Sequence, residues 1–151
     1  MPLNETPDTV QWPETHYVFL EKVGPFMQTA PAAWGEVHGR VPAVAEHNQI
    51  AKYMSLYKVG PQIYRAGVSV AAPPSNLPSG LQYEKFPGGK YSRFTLTGSY
   101  AQLGQASGRV FELAGQLDLL LRDGFNIENY VTDPRVTPED QLITEILLPI
   151  D

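Results

Sequence analysis

A chain of 151 residues, 42% hydrophobic and 18% charged, has the material for one packed domain rather than a disordered segment. Its net charge of −5 and scattered Lys and Arg residues argue against direct nucleic-acid binding, which needs a basic stripe. With no cysteine, disulfides, thiolate catalysis and thiolate-held metals are excluded.

Residues 1–14 are polar and acidic, lack the form of a signal peptide, and read as an N-terminal tail. No apolar run approaches a membrane span. A cytoplasmic, bacterial-type domain without a membrane partner is therefore expected. His16 to Val23, closed by Gly24-Pro25, has the β-branched and aromatic content of a strand. Ala30, Ala33, Trp34, Val37, Val41 and Val44 then recur at helical spacing, and Pro42 is expected to kink or split that helix.

Ile50–Val59 and Ile63–Ala72 read as strands joined at Gly60-Pro61, followed by a Pro- and Ser-rich linker over 73–80. Pro87-Gly88-Gly89 reads as a hairpin turn before a strand over Lys90–Thr97. Ser99 and Gln102 form a capping-box pair. The helix they open carries Leu103, Val110, Leu113, Leu117, Leu120 and Leu121 on one face, and Gly124 is its expected stop. Within it, Gly104-Gln105-Ala106-Ser107-Gly108 reads as a small-residue stretch for close helix packing. Phe125–Thr132 and Gln141–Ile150 complete the strands, with a polar loop over 133–140.

The order is β-α-β-β, linker, β-α-β-β. Tyr17 precedes Gly24 by seven positions, as Tyr91 precedes Gly98, and Tyr57–Pro61 matches Tyr130–Pro134. The expected fold is α+β, with two tandem pseudo-symmetric β-α-β-β units, antiparallel sheets and a pocket at their junction. Residues 15–151 form one domain, with repeat one over 15–72 and repeat two over 81–150.

Strand alternation puts Phe125, Ile127 and Val131 on one face of the fifth predicted strand, expected to lie under the helix. Asn126, Glu128 and Tyr130 take the other, ligand-facing side, and Tyr53, Ser55 and Tyr57 match them in the first repeat. A carboxylate among aromatic rings suits a cation, because ring faces are electronegative and burial strengthens the charge. The same residues would also serve a solvated strand face. Trp34 fits either the core or a pocket wall. His16, His38 and His47 have no metal-ligand spacing, and no serine has a histidine partner placed for a hydrolase triad, so neither a metal nor a cofactor is expected.

The runs Pro87-Gly88-Gly89-Lys90-Tyr91, Gly98-Ser99-Tyr100, Ile127-Glu128-Asn129-Tyr130, Asp133-Pro134 and Leu142 to Ile150 resemble the gyrase-inhibitor-like, or AraC-type effector-binding, domain. The resemblance covers nearly the whole chain and is strongest from Pro87 onward. It implies the two-unit fold and a pocket glutamate two positions before a tyrosine, which maps onto Glu128 with Tyr130. That family includes drug-sensing domains of activators, gyrase-inhibitory proteins and hydrolases of cyclopropane-bearing genotoxins. Its activators carry a DNA-binding region ahead of this domain, so a stand-alone version is expected here.

The leading expectation is a non-catalytic module for a small amphipathic organic molecule, cationic or aromatic. Glu128 would orient the ligand, with contacts from Tyr130, Tyr53, Tyr57, Ser55, Asn126 and Trp34. One alternative is a hydrolase in which Glu128 handles water and Tyr130 polarises the substrate. The other is a protein-interaction module with an unknown partner.

Overall fold

The structure is a computed structural model that describes residues 2–151. Among the described residues, eight strands and two helices follow one another: β1 (Leu3–Trp12), β2 (Thr15–Val23), α1 (Phe26–Ala45), β3 (Ile50–Lys58), β4 (Ile63–Val70), β5 (Gln82–Phe86), β6 (Gly89–Thr97), α2 (Leu103–Gln116), β7 (Asn126–Tyr130) and β8 (Ile143–Pro149). No helix among them is long and apolar enough to cross a membrane. The chain divides into two compact units, Pro13–Gly88 and the segment through Trp12 joined with Gly89–Asp151.

In the Pro13–Gly88 unit, β2 pairs with β4 and β5, and β4 pairs with β3, all antiparallel. In the other unit β6 pairs with β1 and β8, and β8 pairs with β7, again antiparallel. The α+β class expected from the sequence is the class observed. Each unit contains a β-α-β-β run whose first strand pairs with its last. Each run also has one added outer strand drawn from elsewhere in the chain: β5 beside β2, and β1 beside β6.

Four expectations need correction. Residues 3–12, read as tail, form β1, because an outer strand needs only one bonded neighbour and little apolar content. Pro7 lies where the β1–β6 register shifts between Asn4 and Asp8, a place that tolerates a missing N–H. Pro87-Gly88-Gly89 is a connector and not a hairpin turn, since β5 pairs with β2 while β6 pairs with β1 and β8.

Pro42 does not split the first helix, which runs unbroken from Phe26 to Ala45 with both Pro31 and Pro42 inside it. Each proline deprives the carbonyl four residues earlier of its partner. Those carbonyls belong to Met27 and His38, both exposed residues where water can replace the bond.

The second helix stops at Gln116, well before Gly124. Asp118 takes a left-handed backbone with φ of 52°. The N–H of Leu119 reaches the Ala114 carbonyl at 3.0 Å and that of Asp118 reaches Gly115 at 3.2 Å, closing the helix by the 6→1 and 5→2 bonds of a Schellman motif. Leu117, Leu120 and Leu121 consequently leave the helical face and are exposed.

The cores follow the helical patterns. Ala33, Val37 and Val44 of α1 are buried over Val18, Leu20, Ala66, Val68 and Val70. Ala106, Val110, Leu113 and Ala114 of α2 are buried over Phe94, Leu96, Ile146 and Leu148. Burying each such large side chain stabilises by about 1.5–3 kcal/mol. Gly67 is required by close packing: a Cβ there would lie 2.2 Å from the Val18 carbonyl oxygen.

The tyrosines noted as repeat landmarks tie the first strand of each β-α-β-β run to the segment after its helix. The Tyr17 hydroxyl donates to the Met54 carbonyl at 2.8 Å, and the Tyr91 hydroxyl donates to Phe125 at 2.8 Å.

Candidate functional site

Register fixes the face on which Glu128 lies. It sits opposite Ile146, and Ile146 sits opposite Phe94. Both partners belong to the core beneath α2, so Glu128 faces that helix. This reverses the expected assignment, in which Phe125, Ile127 and Val131 were to lie under the helix. Ile127 instead shares the opposite face with Leu147, both fully buried, while Val131 is exposed. Because both faces of β7 are covered, polar and apolar alternation does not tell which cover is the helix.

Glu128 is half-buried as a residue, and its carboxyl is drawn out of solvent. The Tyr130 hydroxyl donates to Oε1 at 2.9 Å, and the Ser107 hydroxyl on α2 donates to Oε2 at 3.4 Å. Desolvation raises the carboxyl above its ordinary value of 4.5, and the bonds from Tyr130 and Ser107 act against that rise. No cation lies among these partners. Tyr130 in turn meets the Tyr100 ring edge-on, with centroids 5.7 Å apart. Thr144, opposite Tyr130 in the register, is fully buried with a hydroxyl that has no hydrogen-bond partner. Asn126, also buried, belongs to the same alternate set as Glu128 and Tyr130.

The small residues of α2 act differently from the expectation of close helix packing. A Cβ at Gly104 or Gly108 would meet nothing within 4 Å, whereas Ala106 is packed and Ser107 supplies the hydroxyl to Glu128.

The other predicted residues gather in the Pro13–Gly88 unit beneath α1. Trp34 Nε1 donates to Tyr64 Oη at 2.9 Å and to Ser55 Oγ at 3.2 Å, and those two hydroxyls are 2.7 Å apart. Tyr53 lies nearly parallel to Trp34, with centroids 6.5 Å apart, and Tyr57 meets Phe26 edge-on at 5.7 Å. Glu128, Tyr130 and Asn126 are thus grouped in one unit, and Trp34, Tyr53, Ser55 and Tyr57 in the other.

Ser107, Tyr64 and Tyr100, which contact predicted residues, were not among the predicted site residues. Tyr64 had a usable signal: a turn at Gly60-Pro61 places it across from Tyr57, as the β3–β4 register does. Unit 1–12/89–151 also carries a shallow surface depression lined in part by Thr97, Ser99, Gln102, Glu139 and Asp140, none of them a predicted site residue.

The model of the GyrI-like small molecule binding domain matches residues 5–151. The chain belongs to that family. Its structure is similar to the EcmrR C-terminal domain, at 14% identity and a TM-score of 0.82, covering 100% of this chain and 99% of that one. It is also similar to SAV2435 bound to tetraphenylphosphonium, at 14% identity and 0.72, covering 96% and 93%. A hydrolase from Listeria innocua matches at 10% identity and 0.64, covering 98% and 93%. No curated protein matches this chain. At such identities the structural likenesses establish the fold, while the family membership makes this GyrI-like chain a small-molecule-binding domain.

Proposed function

We propose that this GyrI-like domain binds an organic cation, with Glu128 as the counter-charge. One observation carries the reading: a desolvated carboxylate whose hydrogen-bond partners, Ser107 and Tyr130, are both neutral hydroxyls. A carboxylate held away from water without a basic partner gains most from a ligand that brings the positive charge. The nearby Tyr130 and Tyr100 rings add electronegative faces for an alkyl- or aryl-substituted cation. Tetraphenylphosphonium bound to the similarly folded SAV2435 supports this ligand class.

Tetraphenylphosphonium and tetraphenylborate have the same shape and opposite charge, so they isolate the role of Glu128. Calorimetry is expected to show binding of the cation and not of the anion. Glu128→Gln should weaken cation binding at least tenfold, about 1.4 kcal/mol. Equal affinity of wild type and Glu128→Gln for tetraphenylphosphonium would sink the assignment.

A second reading, hydrolysis of an electrophilic ligand, draws on the Tyr130 hydroxyl held 2.9 Å from a carboxyl that burial makes more basic. The Listeria innocua hydrolase of similar fold is consistent with it. Following an epoxide- or cyclopropane-bearing probe by mass would separate the two, since only hydrolysis adds the mass of water and depends on Glu128.

A further inference from the structure

We propose that the cation preferred by this domain is a protonated amine rather than a quaternary onium, and that the Thr144 hydroxyl accepts one of its N–H groups. The proposal rests on the reading of Glu128 as a counter-charge and names the chemistry of the ligand's charged group. It uses only residues of the unit that contains Gly89–Asp151.

Thr144 stands on the face of β8 that carries Ile146 and Leu148 beneath α2. Its neighbours across the strands are Leu96 of β6 and Tyr130 of β7. The residue is fully buried, and its hydroxyl has no hydrogen-bond partner among the described residues. Valine has nearly the same shape and would fill this place without stranding a polar atom, so the unpaired hydroxyl is destabilising with no gain in packing. Tyr130, directly opposite, is the residue whose hydroxyl donates to Glu128 Oε1. Glu128 itself is the diagonal neighbour of Thr144 on this face. Such neighbours lie about 7–8 Å apart, so one ligand head group can reach both.

The carboxyl also has room for donors. Oε1 accepts from Tyr130 at 2.9 Å and Oε2 from Ser107 at 3.4 Å, whereas a carboxylate accepts about four hydrogen bonds. Open acceptor positions on Glu128 and an idle hydroxyl on Thr144 both call for donors that arrive with the ligand. A secondary ammonium brings two N–H groups along with its charge, and a quaternary onium brings the charge alone. Hydrogen bonds from a charged N–H are stronger than those between neutral groups. The cluster meets solvent at Tyr130 and Tyr100, which are half-buried.

Dibenzylamine, protonated at pH 7, and dibenzyldimethylammonium share both rings and the charge and differ in their N–H groups. Their dissociation constants, and that of tetraphenylphosphonium, would be measured by calorimetry on wild type, Thr144→Val, Thr144→Ser and Glu128→Gln. Melting temperatures would confirm that each variant folds. Wild type should bind dibenzylamine about tenfold tighter than its quaternary counterpart. Thr144→Val is expected to lose that preference, while its melting temperature holds or rises and its affinities for both onium ions change less than twofold. Thr144→Ser should keep the preference. Equal binding of the two dibenzyl compounds by wild type, a preference that survives in Thr144→Val, or its loss in Thr144→Ser would overturn the role of Thr144. If Glu128→Gln still weakens tetraphenylphosphonium in those cases, the counter-charge reading stands on its own. Tetraphenylphosphonium binding that is indifferent to Glu128→Gln would overturn both.

Discussion

Glu128 illustrates how a single side chain couples stability to ligand chemistry. Its folded-state pKa is raised, so folding carries a cost from this group above that raised value. The cost disappears below the unfolded value, where the carboxyl is protonated in both states. Stability from this position is therefore full in acid and is lost as pH rises through the folded-state pKa. Glu128→Gln keeps the shape and both hydroxyl partners, and should raise the melting temperature at pH 7 but not at pH 4; an equal shift at both values would show that the carboxyl is not desolvated. A bound cation favours the ionised form, so ligand affinity should rise with pH over the same window. The Glu-x-Tyr spacing was legible in the sequence, but Ser107 was not, because its role depends on which covered face of β7 meets α2.

At the level of elements, sequence patterns read best where one side of a segment is buried and the other wet. The spacing of Ala33, Val37 and Val44 located α1, and Ser99 marked the start of the second helical segment, its hydroxyl accepting from the Ala101 N–H at 3.1 Å. The outer strands read worst. In β5 only Phe86 is buried, and in β1 only Trp12, so neither shows the alternation that identifies a strand. The end of α2 was hidden because an aspartate, and not glycine, takes the left-handed position. A left-handed conformation costs non-glycine residues about 1–2 kcal/mol, somewhat less for Asp. Asp118→Gly should accordingly stabilise by about 0.5–1 kcal/mol, seen as a melting temperature higher by roughly 1–4 °C. A loss of stability would mean that the Asp118 side chain makes a contact outweighing the backbone strain.

Across the molecule, the boundary between units was the least legible feature, since it falls at Trp12 and Gly89 and not in the Pro-rich segment over 73–80. Composition marks that segment as lacking regular structure, but strand pairing decides membership, and pairing partners are not written in composition. β1 is held to its unit by backbone pairing with β6, by buried Trp12, and by ion pairs from Glu5 to Arg109 and Asp8 to Arg93. The ion pairs are exposed and screened by solvent, so the double variant Glu5→Gln with Asp8→Asn should leave the melting temperature nearly unchanged. Deleting residues 2–12 removes the pairing and the tryptophan together. That variant should become sensitive to trypsin at Arg109 while the Pro13–Gly88 unit stays resistant; protection of both units would show that β1 is dispensable.

The outer strands also impose an order on assembly during synthesis. All four strands of the Pro13–Gly88 sheet have left the ribosome once Gly88 emerges, so that sheet can close early. β1 is translated before any strand of that sheet, yet its hydrogen-bonding partner β6 begins only at Gly89. That strand must wait through the making of the entire Pro13–Gly88 unit before it finds its place. For that interval its low apolar content and its proline are an advantage, keeping a nascent strand from pairing with the wrong chain.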